Sequence, residues 1–385
     1  MSWKMTPVVA ALVIGAAASA DAAVLPYRID PVAQTGPTYA SLGLPALNDA
    51  GTSAFQATSA AAGNARGVYY GNPALVQQVA TPGLNVTPNA VDINNVGQIV
   101  FTALPPTNPN NLQGIDGVYR SDPTGITTIA PPWSAISQIN GGPVVNNSGL
   151  VAYSVFDTAV SNLYVGNGTT SPPPPRTGTF GEIVLLGLNN AGKPLARESN
   201  SFATGNLFYD NANIVTLTSP QYTDPDFGIP GTFSVRTADV GDNDRVVFAA
   251  RWNGLTDAFY LWNNGTISKV GGTNGLTGTP AINDVGTVAG LVTGATGPAR
   301  LSIFSGGTEG TIISVGDALL GSTVTGLGFS PEGLNNLDQI AFQATLADGR
   351  TVNALATVPE PTGAAALVLA GAGLLGRRRR MRRTN

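Results

Sequence analysis

Between Asp224 and Asp244 the chain gathers five carboxylates, Asp224, Asp226, Asp239, Asp242 and Asp244, with Asn243 among them. Two chemistries suit such a set. Asp242-Asn243-Asp244 offers the alternating oxygen donors of a calcium loop, but without the bidentate glutamate and spacing of an EF-hand. Asp224 or Asp226 with Asp239 would supply the two carboxyls of a glycosidase, if the fold brought them to one cleft. The plainer reading is that Asp and Asn here bond their own backbone and make turns. The turn reading is preferred. No metal site is expected, and Asp242 and Asp244 are the candidates should Ca2+ bind.

The rest of the 385-residue sequence narrows the chemistry further. It contains no His and no Cys. Ser-His-Asp triads, histidine-based metal sites and the commonest general base are therefore closed to it, as are disulfides. No catalytic residue is expected, and the chain is read as not an enzyme. Trp133 and Trp252 are candidate stacking faces for a glycan, the lectin-like alternative. A carboxylate-dependent polysaccharide-active enzyme is the weaker one.

Any such residues must be positioned by a repeat. Its core is apolar-Asn-(Asn/Asp)-x-Gly followed by apolar residues and an aromatic, as in LNDAGTSAF, INNVGQIVF and VNNSGLVAY. The asparagine column reads Asn48, Asn94, Asn146, Asn189, Gly241, Asn283 and Asn335, with gaps of 42 to 52 residues. Asn bonds its own backbone at a turn, and Gly takes positive φ; Asp244 and Asp338 fill the Gly place in two copies. A strand follows, ending on Phe55, Phe101, Tyr153, Phe248 or Phe342, with Ala196 and Gly290 in the remaining copies. These aromatics are expected in the core. Three further strands per copy, and no helical periodicity inside the repeats, match the period of a β-propeller blade.

The fold expected is therefore all-β: a propeller of seven four-stranded blades over residues 24–357. Residues 27–34 and Thr351–Thr357 would complete one shared blade. An open β-solenoid or paired β-sandwiches is the alternative. Loops at 105–113 and 171–176 interrupt the repeat and would carry function on a rigid ring.

The two ends read as addresses. Residues 1–20 have Lys4, an apolar stretch and small residues at Ala18 and Ala20, the form of a cleaved signal peptide. At the other end, Val358-Pro359-Glu360-Pro361 precedes an apolar run at 363–376, then Arg377, Arg378, Arg379, Arg380, Arg382 and Arg383. Fourteen apolar residues fall short of the roughly 20 of a comfortable membrane span, and the arginines should stay cytoplasmic. An N-terminal signal helix and a C-terminal hydrophobic helix are expected to flank the propeller.

These three parts in this order, over residues 358–385, resemble the PEP-CTERM sorting signal. The repeats resemble those of secreted bacterial propellers. The resemblance implies export through the inner membrane, transient insertion of the C-terminal segment and recognition by an exosortase-type protease. It implies delivery to the cell surface or extracellular matrix. From residue 21 to residue 361, the expected mature chain, 12 basic residues face 23 acidic ones, a net of −11, which speaks against nucleic acid. The function expected is a non-catalytic envelope or exopolysaccharide matrix component, with extracellular polysaccharide as the suggested contact.

Overall fold

The computed structural model describes residues 27–358, apart from 62–64, 89, 105–116, 132–136, 140, 158–159, 169–175, 179–181, 202–203, 216–221, 224–227, 255, 272–275 and 294–296. The described chain is nearly all strand and forms a propeller-like arrangement of antiparallel sheets. Each repeat builds one sheet in the same way. In the second, Ile99–Leu104 pairs with Asp92–Ile93 across the asparagine turn and, on its other side, with Gly117–Asp122. That strand then hairpins into Gly125–Ala130.

The turn positions behave as the sequence requires. The fourth residue of each turn has positive φ: Gly51 at 71°, Gly97 at 81°, Gly149 at 80°, Gly192 at 78° and Gly286 at 90°, with Asp244 at 60° and Asp338 at 57°. Asp and Asn are among the few non-glycine residues that visit this region readily.

The repeated aromatics are core. Phe55, Phe101, Phe248 and Phe342 are fully buried and Tyr153 nearly so. Four of them stack on the residue paired across the next strand: Phe55 on Tyr69, Phe101 on Tyr119, Tyr153 on Tyr164 and Phe248 on Tyr260. Such cross-strand pairs fix register as well as burying area. Gly290 has lost its aromatic for a visible reason. A Cβ there would lie 2.4 Å from the ring of Phe259, which belongs to the preceding repeat.

The two terminal strands meet as expected. Arg28–Gln34 pairs antiparallel with Thr351–Thr357, from Arg28 opposite Thr357 to Gln34 opposite Val352. The Tyr27 hydroxyl donates to the backbone carbonyl of Asp338, 311 residues away. The arrangement is thus a ring held by its own ends, not an open solenoid.

One expectation needs correction. Seven separate four-stranded blades do not emerge from the pairing. It gives four five-stranded sheets, one of four strands, one of eight, and a two-stranded ribbon at Tyr222–Thr223 and Pro230–Gly231. The eight-stranded sheet arises because Gly205 pairs with Val235, joining two repeats by one bridge. The described residues contain a single short 3-10 turn, Pro331–Gly333, and no helix long and apolar enough to cross a membrane. The expected helices at both ends, the cleavage site at Ala18 and Ala20, the motif from Pro359 onward and the six arginines lie outside the described residues.

Candidate functional site: an acidic mouth ringed by asparagines

The asparagine turns converge on one face and are stitched to one another in two rings. In each of the six asparagine copies the side-chain Oδ1 accepts the backbone N–H four residues on, as with Thr52 on Asn48 and Gln339 on Asn335. The Nδ2 then reaches into the next repeat. It donates to the carbonyl of Asn94 from Asn48 (3.1 Å), of Asn146 from Asn94 (2.9 Å) and of Asn189 from Asn146 (3.1 Å). The same bond runs from Asn283 to Asn335 and from Asn335 to Asn48, both at 3.0 Å.

This inner ring is interrupted at the fifth turn: Gly241 has no side-chain amide to donate to the next turn, and the Asn189 amide does not use the Gly241 carbonyl. Asn189 donates instead to the Tyr209 hydroxyl (2.7 Å) and to Asp244 (3.0 Å). Asp244 also pairs with Lys193 at 2.7 Å. The hydrogen bonds from Lys193 and Tyr209 hold its carboxyl below the ordinary value. Burial, with Asp244 beside it, pushes the Tyr209 phenol well above its own.

The outer ring has no gap. The N–H of each second turn residue donates to the side-chain oxygen of its counterpart in the next repeat. The order is Asp49 to Asn95 to Asn147 to Asn190 to Asp242 to Asp284 to Asn336 and back to Asp49, at 2.5–2.8 Å throughout. Only a side chain with a carbonyl or carboxylate oxygen one carbon from the backbone can act at this place, and all seven copies hold Asn or Asp.

Beneath the rings lies a cavity of about 130 Å³. Its lining includes five carboxyl groups, Asp49, Asp92, Asp242, Asp284 and Glu332, and no Lys or Arg. Asp92 is buried and accepts N–H groups from its neighbour Ile93 and from Val145 of the next repeat, both at 2.7 Å. Asp239 repeats the arrangement with Val240 (2.7 Å) and Ile282 (2.8 Å). Burial raises both carboxyls above their ordinary values despite the backbone donors, and their mutual repulsion adds to the rise at Asp239. Glu332, on the short 3-10 turn, is half-buried and has no hydrogen bond or ion pair among the described residues. Burial raises its carboxyl well above the usual range, and Asp92 and Asp239 push it further.

The residues singled out from the sequence fall in three places. Asp242 is a member of the outer ring and Asp244 a strut to Lys193 and Tyr209. The described residues contain no group of three or more acids disposed to hold a metal ion. Asp239 is buried beside the cavity as a cross-repeat clamp, whereas Asp224 and Asp226 lie outside the described residues. Trp252 is fully buried, so it offers no stacking face; Trp133 and the loops at 105–113 and 171–175 lie outside the described residues. Sequence reasoning passed over Asp92 and Glu332. The signal was present in the column two residues before the asparagine, where Asp92 and Asp239 stand against Ala46, Val144, Gly187, Ala281 and Gly333.

No family model matches the chain, and no curated protein matches it in sequence. Its fold does have counterparts. One is a prolyl endopeptidase studied for the role of inter-domain dynamics in catalysis and specificity, at TM-score 0.52 and 9% identity. The match takes in 84% of this chain and 51% of that one. Another is prolyl oligopeptidase B from Galerina marginata bound to a 25mer macrocyclization substrate, at TM-score 0.50 and 9% identity, covering 81% and 46%. The chain thus spans about half the length of these structures. The class defined is a propeller of the kind these peptidases contain. The expectation of a non-catalytic matrix repeat protein is corrected at the level of the fold: the architecture is the one these peptidases share. A fold likeness of this kind carries the architecture and not the reaction.

Proposed function

We propose that this chain is a peptidase-type propeller that captures a cationic polypeptide segment, through Lys, Arg or a free amine, at its acid-lined mouth. The observation that carries the reading is Glu332. Its carboxyl lines a cavity with no Lys or Arg in its lining, is repelled by two other acids and has no hydrogen bond or ion pair among the described residues. A charged group retained at a cost in stability and without a structural return marks a candidate functional site. A ligand ammonium or guanidinium would supply the missing partner. The peptidase neighbours, one of them bound to a 25mer substrate, make polypeptide the ligand class to test first.

Isothermal titration of the chain with short arginine-bearing and glutamate-bearing peptides tests this. Binding of the basic peptide alone, weakened about tenfold or more by Glu332→Gln, supports it, since a hydrogen bond to a charged partner is worth roughly 1.5–3 kcal/mol. Equal binding of both peptides, or none, refutes it.

We also read the ring as seven four-stranded units, with the fourth and fifth fused through the Gly205–Val235 bridge. Seven turns in one unbroken circuit of side-chain hydrogen bonds support this count. A crystallographic count of the blades tests it.

The ends keep their proposed role in export. Val358, the last described residue, is exposed, and the Pro359-Glu360-Pro361 motif that follows it in sequence is the segment we propose an exosortase-type protease recognises at the inner membrane. An intact mass from the native host, ending near Pro361, is the expected result. A species that retains all six arginines contradicts processing.

A further inference from the structure

The third residue of each turn is the outermost point of the mouth, and these residues differ around the ring. Val285, Leu337 and Val96 are large apolar side chains exposed to 68, 62 and 62%. Ala50 is exposed as well. The corresponding residues of the other three turns are Ser148, Ala191 and Asn243.

The apolar members are consecutive. The turns that carry them are tied in order by Asp284 to Asn336, Asn336 to Asp49 and Asp49 to Asn95. Val285, Leu337 and Val96 therefore lie in one arc on one side of the mouth, with the small Ala50 between the last two, while Ser148, Ala191 and Asn243, none of them a large apolar side chain, lie on the other. No turn geometry requires this, because the third position takes Ser148 and Asn243 equally well. Apolar side chains left in water at a rim are surface that a partner can bury.

Charge decides which partner. The arc borders a cavity with five carboxyl groups and no basic side chain, so an anionic partner is repelled and a cationic one attracted.

We infer that the arc Val285–Leu337–Ala50–Val96 selects, among cationic polypeptides, those with branched apolar residues beside the positive charge, and that it fixes their direction across the mouth. This rests on the mouth being a polypeptide site. The ligand places its cation inside the acid ring and its apolar neighbour on the arc. The arc covers only one side, so the apolar residue occupies one flank of the cation.

Fluorescence anisotropy of the full chain with three labelled octapeptides tests this: GSGRRGSG, GSGRRLVG and GSGEELVG. The basic–apolar peptide should bind about tenfold more tightly than the basic one, and the acidic–apolar peptide should not bind. Leu337→Ser with Val285→Ser should bring the two basic peptides to the same affinity. Leu75→Ser, an equally exposed change on an outer strand away from the mouth (60%), should leave the tenfold preference in place.

Equal affinities in the unaltered chain, or a preference that survives the double substitution, would overturn the arc while leaving the acidic mouth standing. Binding of the acidic–apolar peptide through Leu337 would sink the mouth reading and the selectivity together. Co-sedimentation with neutral phosphatidylcholine vesicles, lost in the double variant while the peptide preference stays, would make the arc a membrane contact and overturn the proposal. Because both altered side chains are exposed, unchanged thermal unfolding of the variants serves as the folding control.

Discussion

The side-chain amide of Asn335 donates to the backbone carbonyl of Asn48 at 3.0 Å across 287 residues of sequence. This is the bond by which the last turn closes on the first. The partner bond, from the N–H of Asn336 to the carboxylate of Asp49 at 2.8 Å, repeats the closure one residue outward. A long-range contact of this kind is reached only after most of the chain has been ordered. It therefore belongs among the last interactions to form.

Replacing Asn335 should destabilise the fold by more than an ordinary turn substitution. Asn335→Ala removes the donor to Asn48 and the acceptor for the N–H groups of Leu337 and Gln339. At about 1 kcal/mol for each net hydrogen bond, urea unfolding should show a loss of about 2–3 kcal/mol. A loss below about 0.5 kcal/mol would mean the ring is held elsewhere.

Gly290 should tolerate no side chain. Gly290→Ala brings a methyl 2.4 Å from the ring of Phe259, and overpacking of this kind costs about 1–3 kcal/mol. A second change, Phe259→Leu, should recover part of that loss if the ring is the obstacle. Urea unfolding of the single and double variants measures the coupling, and strict additivity would argue against the contact.

The raised carboxyls set a pH dependence with a definite sign. Glu332 binds its proton more tightly in the folded chain than in the unfolded one. Its contribution is complete below the unfolded carboxylate value of about 4 and declines as pH rises toward the higher folded value. Glu332→Gln removes the titrating group and should stabilise the chain at pH 8, with little effect near pH 4. Unfolding at the two pH values decides the matter. A variant that is less stable at pH 8 would show that the ionised carboxyl has an internal partner.

Asp244 should not be replaceable by the residue its backbone prefers. At φ 60° glycine fits without strain. Yet Asp244→Gly removes the acceptor of Lys193, Tyr209 and Asn189. The net effect expected is a loss of about 1–2 kcal/mol and a fall of the Tyr209 phenol toward its ordinary value, followed by ultraviolet titration. A gain in stability would mean backbone strain outweighs the network.

Much of this architecture was legible in the sequence because the repeat carries its own physics. Gly97, Gly149 and their counterparts mark the positive-φ position, and Phe101 and Tyr153 mark the buried face. The pairing of Arg28–Gln34 with Thr351–Thr357 followed from a strand missing at one end and present at the other. The joining of two repeats at Gly205 was not legible, since a single bridge depends on how close two backbones lie in space. The asparagines were read as turn-formers, which accounts for their oxygens. Their amides act between repeats, on partners 43 to 55 residues away and 287 at the closure, which no local pattern announces. Asp92 escaped because its repeat column holds an acid in only two of seven copies, Asp92 and Asp239, and Glu332 because it stands outside that column; only the ring brings them together. The acid-rich stretch that drew attention proved less informative. Asp242 and Asp244 serve the ring and its strut, while Asp239 matters as the counterpart of Asp92.

The most direct measurement is the affinity of the unaltered chain and of Glu332→Gln for one arginine-bearing peptide, at pH 8 and constant ionic strength. Binding that Glu332→Gln weakens about tenfold or more, in a variant as stable as the parent or more so, is the result predicted for a carboxyl that trades stability for ligand. Undiminished binding by the variant, or no binding by the parent, would contradict the assignment of the mouth as a cationic polypeptide site.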